Sequence, residues 1–280
     1  MADATPGEHN WGIFAGVLRQ SQEMTRSWCP RKGSTVREME SGTVIIRRSD
    51  DWHLFITQPD HAELAANLML AWRGDRFGDH PRRDLILRAV REHDNGWLEE
   101  DAATVVDERG RPLDFVSVPD AIKHRIWPRA VARAARRDAY EAALIAQHAL
   151  TVHAQHRGNA EWQPFFDGLE RARTTLLGGP AGDPFERDYR FVRTADLLSL
   201  VFCNGWTEPH DLPGGGRVIL DDATLSISPD PFGGTRVPLR ILARKLSART
   251  YGSAGELRAA LNLAPVEIVD GWSVGAAEQR

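Results

Sequence analysis

The stretch V-R-E-H-D-N-G-W-L-E-E, residues 90–100, places a histidine beside an aspartate at the end of an apolar helical run. Asn95-Gly96 predicts the end of that helix, because these residue types favour turns over helix interiors. A histidine–aspartate pair is common on its own, and a histidine at a helix C-terminus also interacts favourably with the helix dipole. The pair indicates a metal site only if further ligands stand on neighbouring helices.

Helical runs and one β-rich segment surround this stretch. Residues 43–57 predict a β-hairpin, in which two β-rich arms flank the turn Ser49-Asp50-Asp51. Asp84 is a good N-cap for the helix that carries the histidine–aspartate pair, and Pro128 is expected to break or kink a later helix. The spacing of apolar residues predicts helices at 59–72, 84–95, 119–137, 139–156, 162–177 and 186–204.

The composition changes after about residue 207, where Gly, Pro and Asp cluster. The runs at 217–220 and 237–242 suggest short strands, and 253–261 suggests a last helix. The sequence therefore predicts a mainly α fold, a helical bundle with an N-terminal β-hairpin and a small mixed C-terminal segment. The predicted units are an N-terminal extension at 1–40, a metal-binding helical core at 41–206 and a mixed α/β segment at 207–280 packed on that core.

Composition and charge favour a cytoplasmic protein that acts on a small molecule. The 280-residue chain is 42% hydrophobic and has a formal net charge of -4, which gives no general reason to bind nucleic acid or a membrane. Its two cysteines, Cys29 and Cys203, form no CxxC motif, as expected in a reducing compartment. The expected partners are a small-molecule substrate and, as an open alternative, a second copy of the chain.

Other polar residues interrupt the apolar faces of the predicted helices. Asp196 has Ala195 and Leu197 as neighbours, and a buried carboxylate costs several kcal/mol unless it is paired or binds a metal. Imidazole and carboxylate together suit iron, manganese, zinc, cobalt or nickel. The predicted ligands of a mono- or dinuclear centre are His61, His93, Asp94, His124, His148 and Asp196. Each also has an ordinary structural explanation, such as a core position for His148.

The order of these ligands resembles that of the HD-domain superfamily of metal-dependent phosphohydrolases and related di-iron oxygenases. The resemblance rests on His61 in D-H-A-E-L-A, His93-Asp94 in E-H-D-N-G-W and Asp196 in T-A-D-L-L-S. His124 and His148 match the two extra histidines of dinuclear members. The stretches I-T-Q-P-D-H-A-E-L-A, E-H-D-N-G-W and L-I-A-Q-H-A are more similar still to a bacterial family of unknown function, DUF3891. The superfamily resemblance implies an HD-like helical bundle that holds iron, with one or two ions, or manganese.

One position departs from the superfamily pattern. Many of its phosphohydrolases have a lysine directly after the HDxG glycine, whereas this chain has Trp97. Lys123 is the only lysine in the predicted helical core and could supply the missing charge. The resemblance makes His93 and Asp94 the catalytic candidates. The candidate substrate-binding residues are Lys123, Arg125, Arg129 and Trp97, and Asp60 and Glu92 are candidates for orienting the ligands.

Three functions remain open at this point. The first is a metal-dependent hydrolase of HD type, in which a metal-activated water attacks a phosphoester or nucleotide-like small molecule. The second is a mixed-valent di-iron oxygenase of HD type that acts on a small polyol or phosphonate, an alternative that Trp97 favours. The third is a metal- or ligand-sensing module without enzymatic activity, whose metal would have a filled coordination shell.

Overall fold

The computed structural model describes residues 44–276 of the chain. The predicted N-terminal extension, 1–40, lies outside the described residues. Short 3-10 helices lie at Gly74–Asp79, Asn95–Trp97 and Ala154–His156. The α-helices of the described range are α1 (Gln58–Ala71), α2 (Arg83–Glu92), α3 (Leu98–Asp101), α4 (Asp120–Ala135), α5 (Ala139–Val152), α6 (Gln163–Leu177), α7 (Asp183–Asn204) and α8 (Ala254–Leu263).

Local sequence explains where several of these helices begin. The Thr57 side chain caps α1 by accepting a hydrogen bond from the backbone N–H of Asp60 at 3.2 Å, and Asp138 caps α5 in the same way. Helix α4 continues through Pro128 and does not end there. The alanine-rich turns that follow favour helix, and Trp127 and Ala130 are buried on either side of the proline.

The strands form one mixed sheet in the order β1-β2-β6-β7-β5-β4-β3. Every neighbouring pair is antiparallel except β5 and β7, which are parallel. The predicted hairpin is present as β1 and β2. The strands are β1 (Ile45–Arg48), β2 (Trp52–Ile56), β3 (His210–Asp211), β4 (Arg217–Asp221), β5 (Thr224–Ser228), β6 (Val237–Ser247) and β7 (Val266–Gly275).

This sheet shows that the predicted mainly α, HD-like bundle with a small C-terminal segment is wrong. β2 pairs with β6, with Phe55 opposite Arg244, so the hairpin and the C-terminal strands belong to one seven-stranded sheet. β6 is eleven residues long, and its buried residues alternate with exposed ones. Local sequence predicted only the short run 237–242 of this strand, because pairing between strands so far apart in sequence leaves no local signal.

Two apolar clusters meet at the centre of the molecule. One lies between the inner face of the sheet and helices α1, α2 and α7. The other is formed by α4, α5 and α6 around Trp97, Trp127 and Trp162. Within residues 44–276, no helix is long and apolar enough to cross a membrane.

Candidate metal centre and the cleft beside it

Four helices bring five of the predicted ligands to one buried region. His61 lies in the first turn of α1, His93 and Asp94 directly follow α2, His148 lies on α5, and Asp196 lies in the middle of α7. Helices α1 and α5 each pack against both α2 and α7. His61 and His93 have no exposed surface and Asp196 is 3% exposed. The side chains therefore meet where these four helices converge.

In this region, two imidazole nitrogens lie close to each other and to one oxygen from each of two carboxylates. The Nε2 atoms of His61 and His93 are 3.3 Å apart. Asp196 Oδ1 lies 3.1 Å from the first of these atoms and 3.3 Å from the second. Asp94 Oδ2 lies 3.6 Å and 3.4 Å from the same two atoms. This four-residue group is called the ligand cluster below.

Hydrogen bonds on the far side of each ring determine which imidazole nitrogen faces the cluster. His93 Nδ1 lies 2.6 Å from the carbonyl oxygen of Val90 and must carry a proton, because a carbonyl only accepts. Ser199 Oγ donates to backbone carbonyls of its own helix and lies 2.9 Å from His61 Nδ1, so it accepts from that ring. Both Nε2 atoms are thereby left to bind a proton or a metal.

The cluster attracts positive charge. Burial opposes the charged form of His93, but Asp94 and Asp196 outweigh it and raise the pKa of His93 well above its ordinary value. Burial likewise opposes the charged form of Asp196, yet hydrogen bonds with His61 and His93 bring the pKa of this carboxyl below its ordinary value. A buried carboxylate pair that depends on histidines for compensation is a suitable environment for a cation.

The spacing of the acceptors fits a bound metal. Ligand atoms about 2.1 Å from a transition metal, at angles between octahedral and tetrahedral, lie roughly 3.0–3.4 Å apart. The separations in the ligand cluster, from 3.1 to 3.6 Å, fall close to that range. Two imidazole nitrogens and two carboxylate oxygens are a donor set that iron, manganese and zinc accept.

His148 stands beside the ligand cluster. Its Nε2 is 3.7 Å from Asp196 Oδ2, and its ring centroid is 4.9 Å from that of His93. On its other side, Nδ1 lies 3.3 Å from the hydroxyl of Tyr189. Burial lowers the pKa of His148 to about 4, so its ring is neutral at physiological pH. His93, His148 and Asp196 form a second group of closely spaced donor atoms.

An open cleft of about 630 Å³ gives access to this region. Asp94, His148 and Asp196 form one end of its wall, and large apolar side chains cover much of the rest. The ligand cluster is therefore buried on the protein side and reachable from the cleft.

A family described as "Protein of unknown function (DUF3891)" matches residues 44–248. The chain belongs to this family. The match confirms the family predicted from the sequence and covers the ligand cluster, its four helices and the cleft. No curated protein and no solved structure matches the chain. Membership of the HD-domain superfamily stays a prediction.

His124, the sixth predicted ligand, does not join the other five. Within the described residues, no group of closely spaced donor atoms includes it. Its ring lies against Trp162 and Phe165, with centroid distances of 4.4 Å and 5.3 Å. Its buried Nε2 has no hydrogen-bond partner in that same part of the chain. Helix α4 packs against α5 and α6, and this side chain contacts aromatic residues there instead of facing α1 and α7.

The four candidate substrate-binding residues separate into two pairs. Lys123 and Trp97 line the cleft. Arg125 and Arg129 instead bind the buried carboxylate of Glu100, at 2.8 Å and 2.7 Å. These two arginines already have a structural partner in the folded protein.

The two candidate orienting residues make local contacts. Asp60 accepts a hydrogen bond from the Thr57 hydroxyl at 2.6 Å. Glu92 accepts one from the Asn95 side chain at 3.0 Å. The group that orients His61 is Ser199, a residue that no sequence pattern singled out.

Sequence reasoning also missed His153. It is 8% exposed, lines the cleft and accepts a hydrogen bond from the indole N–H of Trp127 at 2.7 Å. The three histidines at 148, 153 and 156 were the available signal. Their spacing matches no single helical face, because the last two lie beyond the end of α5, so periodicity did not reveal them.

Proposed function

We propose that the protein is a metal-dependent hydrolase of HD type that acts on a phosphoester or nucleotide-like small molecule. The observation that carries this proposal is that the Nε2 atoms of His61 and His93 lie within 3.6 Å of each other and of one oxygen from each of Asp94 and Asp196, beside an open cleft. The residues that would hold the ion are these four, in the order that suggested the HD superfamily. The helical-bundle fold of that prediction is not part of the proposal.

A divalent ion bound there would supply a Lewis acid and bring the pKa of a water molecule close to neutrality. Side chains of the protein would accept the proton from the water and hydrogen-bond to the substrate. Asp94 and Asp196 border the cleft, so a carboxylate oxygen that is not used as a ligand can accept a proton from water. His148 lies on the same wall and is neutral, which allows it to hydrogen-bond to a substrate oxygen without adding charge.

A second candidate function, the di-iron oxygenase, is favoured by the position of His148. Its Nε2 is 3.7 Å from Asp196 Oδ2, so His148 and Asp196 are the residues that would hold a second ion. A centre with two ions needs more ligands than a centre with one. His124, one of the predicted ligands, is not among the available ones, because its ring faces Trp162 and Phe165. We therefore rank the hydrolase with one ion first.

Elemental analysis tests the proposal, on protein purified without a chelating tag and then reconstituted anaerobically with Fe²⁺ or Mn²⁺. We expect about one ion per chain, lost in Asp94→Ala and Asp196→Ala and kept in Asp211→Ala, whose side chain is exposed on β3. The loaded protein is then assayed for phosphoester hydrolysis and for oxygen consumption.

The outcomes separate the candidate functions. Hydrolysis that disappears in the two aspartate variants supports the hydrolase. Two irons per chain with substrate-dependent oxygen consumption would favour the oxygenase. Absence of any ion in the wild-type protein would remove the basis for both.

A further inference from the structure

A second cluster of polar side chains lines the same cleft, away from the ligand cluster. It consists of Lys123 on α4, His153 at the end of α5 and His156 in the 3-10 helix that follows. Each can present an N–H group, and Lys123 carries a positive charge. This group is called the basic cluster.

Trp127 determines the tautomer of His153. The indole N–H can only donate, so the Nε2 atom of His153, 2.7 Å away, must accept and is unprotonated. Burial, followed by the nearby Lys123 and His156, lowers the pKa of His153 well below its ordinary value, so the ring is neutral and its single proton lies on Nδ1. Trp127 is the hydrogen-bond partner that residues 44–276 give the His153 ring, and His153 is more than nine-tenths buried and lines the cleft.

Asp120 and Trp162 hold the other two members in place. The carboxylate of Asp120 lies 3.3 Å from Lys123 Nζ through one oxygen and accepts the indole N–H of Trp162 at 3.1 Å through the other. His156 stacks flat on that indole, with centroids 4.0 Å apart and an interplanar angle of 4°. Lys123 is only 12% exposed, whereas Asp120 is 46% exposed and partly hydrated, so the lysine charge is incompletely compensated inside the cleft.

The indole ring of Trp127 contacts both His148, which stands beside the ligand cluster, and His153 of the basic cluster. The centroid of Trp127 is 5.7 Å from that of His148 and 5.8 Å from that of His153. A small molecule in the cleft can therefore contact both clusters across the width of Trp127. The spacing corresponds to a compound that has two polar ends and a short connecting skeleton.

We propose that Lys123, His153 and His156 form an oxyanion-binding subsite that holds a second anionic group of the substrate. This rests on the proposed function for the reacting end of the substrate, which lies at the ligand cluster. The substrate class is then a small phosphoester that carries a further phosphoryl or carboxyl group a few bonds from the reacting phosphorus. Three N–H donors around one oxyanion, one of them on a cation, are a suitable recognition set. Trp127 is a positioning residue, because it acts through the tautomer of His153.

The test is calorimetric titration of the full-length, chelator-treated protein with inorganic phosphate, so that no metal competes for the anion. We expect the wild-type protein to bind phosphate, and Lys123→Met and His153→Phe to weaken binding by about tenfold or more. Lys245→Met is the matched control, since it removes the same charge from β6, at a residue that does not line the cleft. His93→Gln should also keep phosphate binding, which separates this subsite from the ligand cluster, where His93 is the cationic group.

Circular dichroism and thermal melts verify that each variant is folded. If His153→Phe does not fold, His153→Asn replaces it, and its side-chain amide should keep part of the affinity. Nitrogen-15 NMR of the histidine rings should show His153 protonated on Nδ1, and Trp127→Phe should shift it toward a mixture of tautomers. Unchanged phosphate affinity in folded Lys123→Met and His153→Phe, or no binding by the wild type, would overturn the subsite.

Metal content, measured on the same proteins, keeps the two proposals apart. Phosphate binding through Lys123 in a chain that takes up no metal would support the subsite and contradict the hydrolase. Phosphate affinity that falls in His93→Gln but not in Lys123→Met would place the anion at the ligand cluster and overturn the subsite alone.

Discussion

The Nε2 atoms of His61 and His93 lie 3.3 Å apart and both face Asp94 and Asp196, because the Nδ1 atoms contact Ser199 and the carbonyl of Val90. Two lone pairs at this distance repel unless a proton or a metal ion lies between them. The oxygens of Asp94 and Asp196 add negative charge at the same point. The fold thus holds together groups that a cation would stabilise.

A bound metal should therefore raise the stability of the folded chain. Adding Mn²⁺ to chelator-treated protein at about 100 times its dissociation constant should stabilise it by about 2.7 kcal/mol, which corresponds to several degrees in Tm. Asp196→Asn should abolish this shift, because it removes a charged ligand, and Asp211→Asn should keep it. Equal shifts in both variants, measured by differential scanning calorimetry, would show that the ion binds elsewhere.

Ser199 should control metal affinity without binding the metal. Its hydroxyl accepts the Nδ1–H of His61 at 2.9 Å, which keeps Nε2 directed at the cluster. Removing such an orienting partner costs about 10–100-fold in metal affinity. We expect this loss in Ser199→Ala and no change in Ser226→Ala on β5, both measured by competition with a fluorescent chelator. Wild-type affinity in the first variant would contradict the proposed orienting role.

Gly96 should be required because another backbone lies against it. A Cβ atom at this position would be only 2.2 Å from the carbonyl oxygen of Ile126 on α4. Gly96→Ala should therefore lower the free energy of unfolding by about 1–3 kcal/mol, as overpacking does, and displace the neighbouring His93 and Asp94 with loss of metal.

Gly168→Ala is the control for this steric argument. Gly168 lies on α6, and nothing lies within 4 Å of the added Cβ. Because alanine favours helix over glycine, this variant should be neutral or slightly more stable. An equal loss of unfolding free energy in Gly96→Ala and Gly168→Ala, measured by urea unfolding, would contradict the steric explanation.

The ion pairs of Glu100 should make stability depend on pH. Burial alone would raise the pKa of Glu100, but hydrogen bonds and charge from Arg125 and Arg129 bring it below its ordinary value. A carboxyl with a lowered pKa stabilises the fold above its unfolded-state pKa of about 4.3 and loses this contribution as the pH falls through the folded-state value.

Glu100→Gln tests this expectation. At pH 7 this substitution should lower the free energy of unfolding, measured by urea unfolding, by about 1 kcal/mol. The value is modest because the Arg125 side chain is 52% exposed and screened by solvent. The difference in unfolding free energy between Glu100→Gln and the wild type should shrink as the pH falls below about 4. Glu208→Gln, at an exposed position, is the control and should show no difference at any pH. A difference in unfolding free energy between Glu100→Gln and the wild type that stays constant with pH would contradict the ionic explanation.

Much of the helical part could be predicted from local sequence. Capping by Thr57 and Asp138, with apolar residues at helical spacing, marks α1 and α5 closely. The extent of the sheet could not be predicted, because β6 gains its pairing partners from β2 and β7. Those contacts depend on chain folding over long sequence distances and leave little trace in the sequence of one strand.

The candidate site divides in the same way. Asp196 in an apolar helix and the adjacent pair His93-Asp94 indicate buried ligands from the sequence alone, since an uncompensated buried carboxylate is too costly to keep. His124 has similar local surroundings, yet its ring packs on Trp162. His153, which no pattern in the sequence singled out, lines the cleft. Residue type and spacing do not determine which neighbouring elements a given helix face packs against.

By itself, the sequence determined the family, the hairpin, most of the helices and the residue types able to bind a metal, because these follow from chemistry and periodicity along the chain. Only the tertiary structure decided that four helices converge and bring Asp94 and Asp196 within 3.6 Å of both His61 and His93. It also placed Lys123 and His153 on the same cleft and joined the two ends of the described chain in one sheet. These features depend on helix rotation and packing, which are set by contacts between residues distant in sequence.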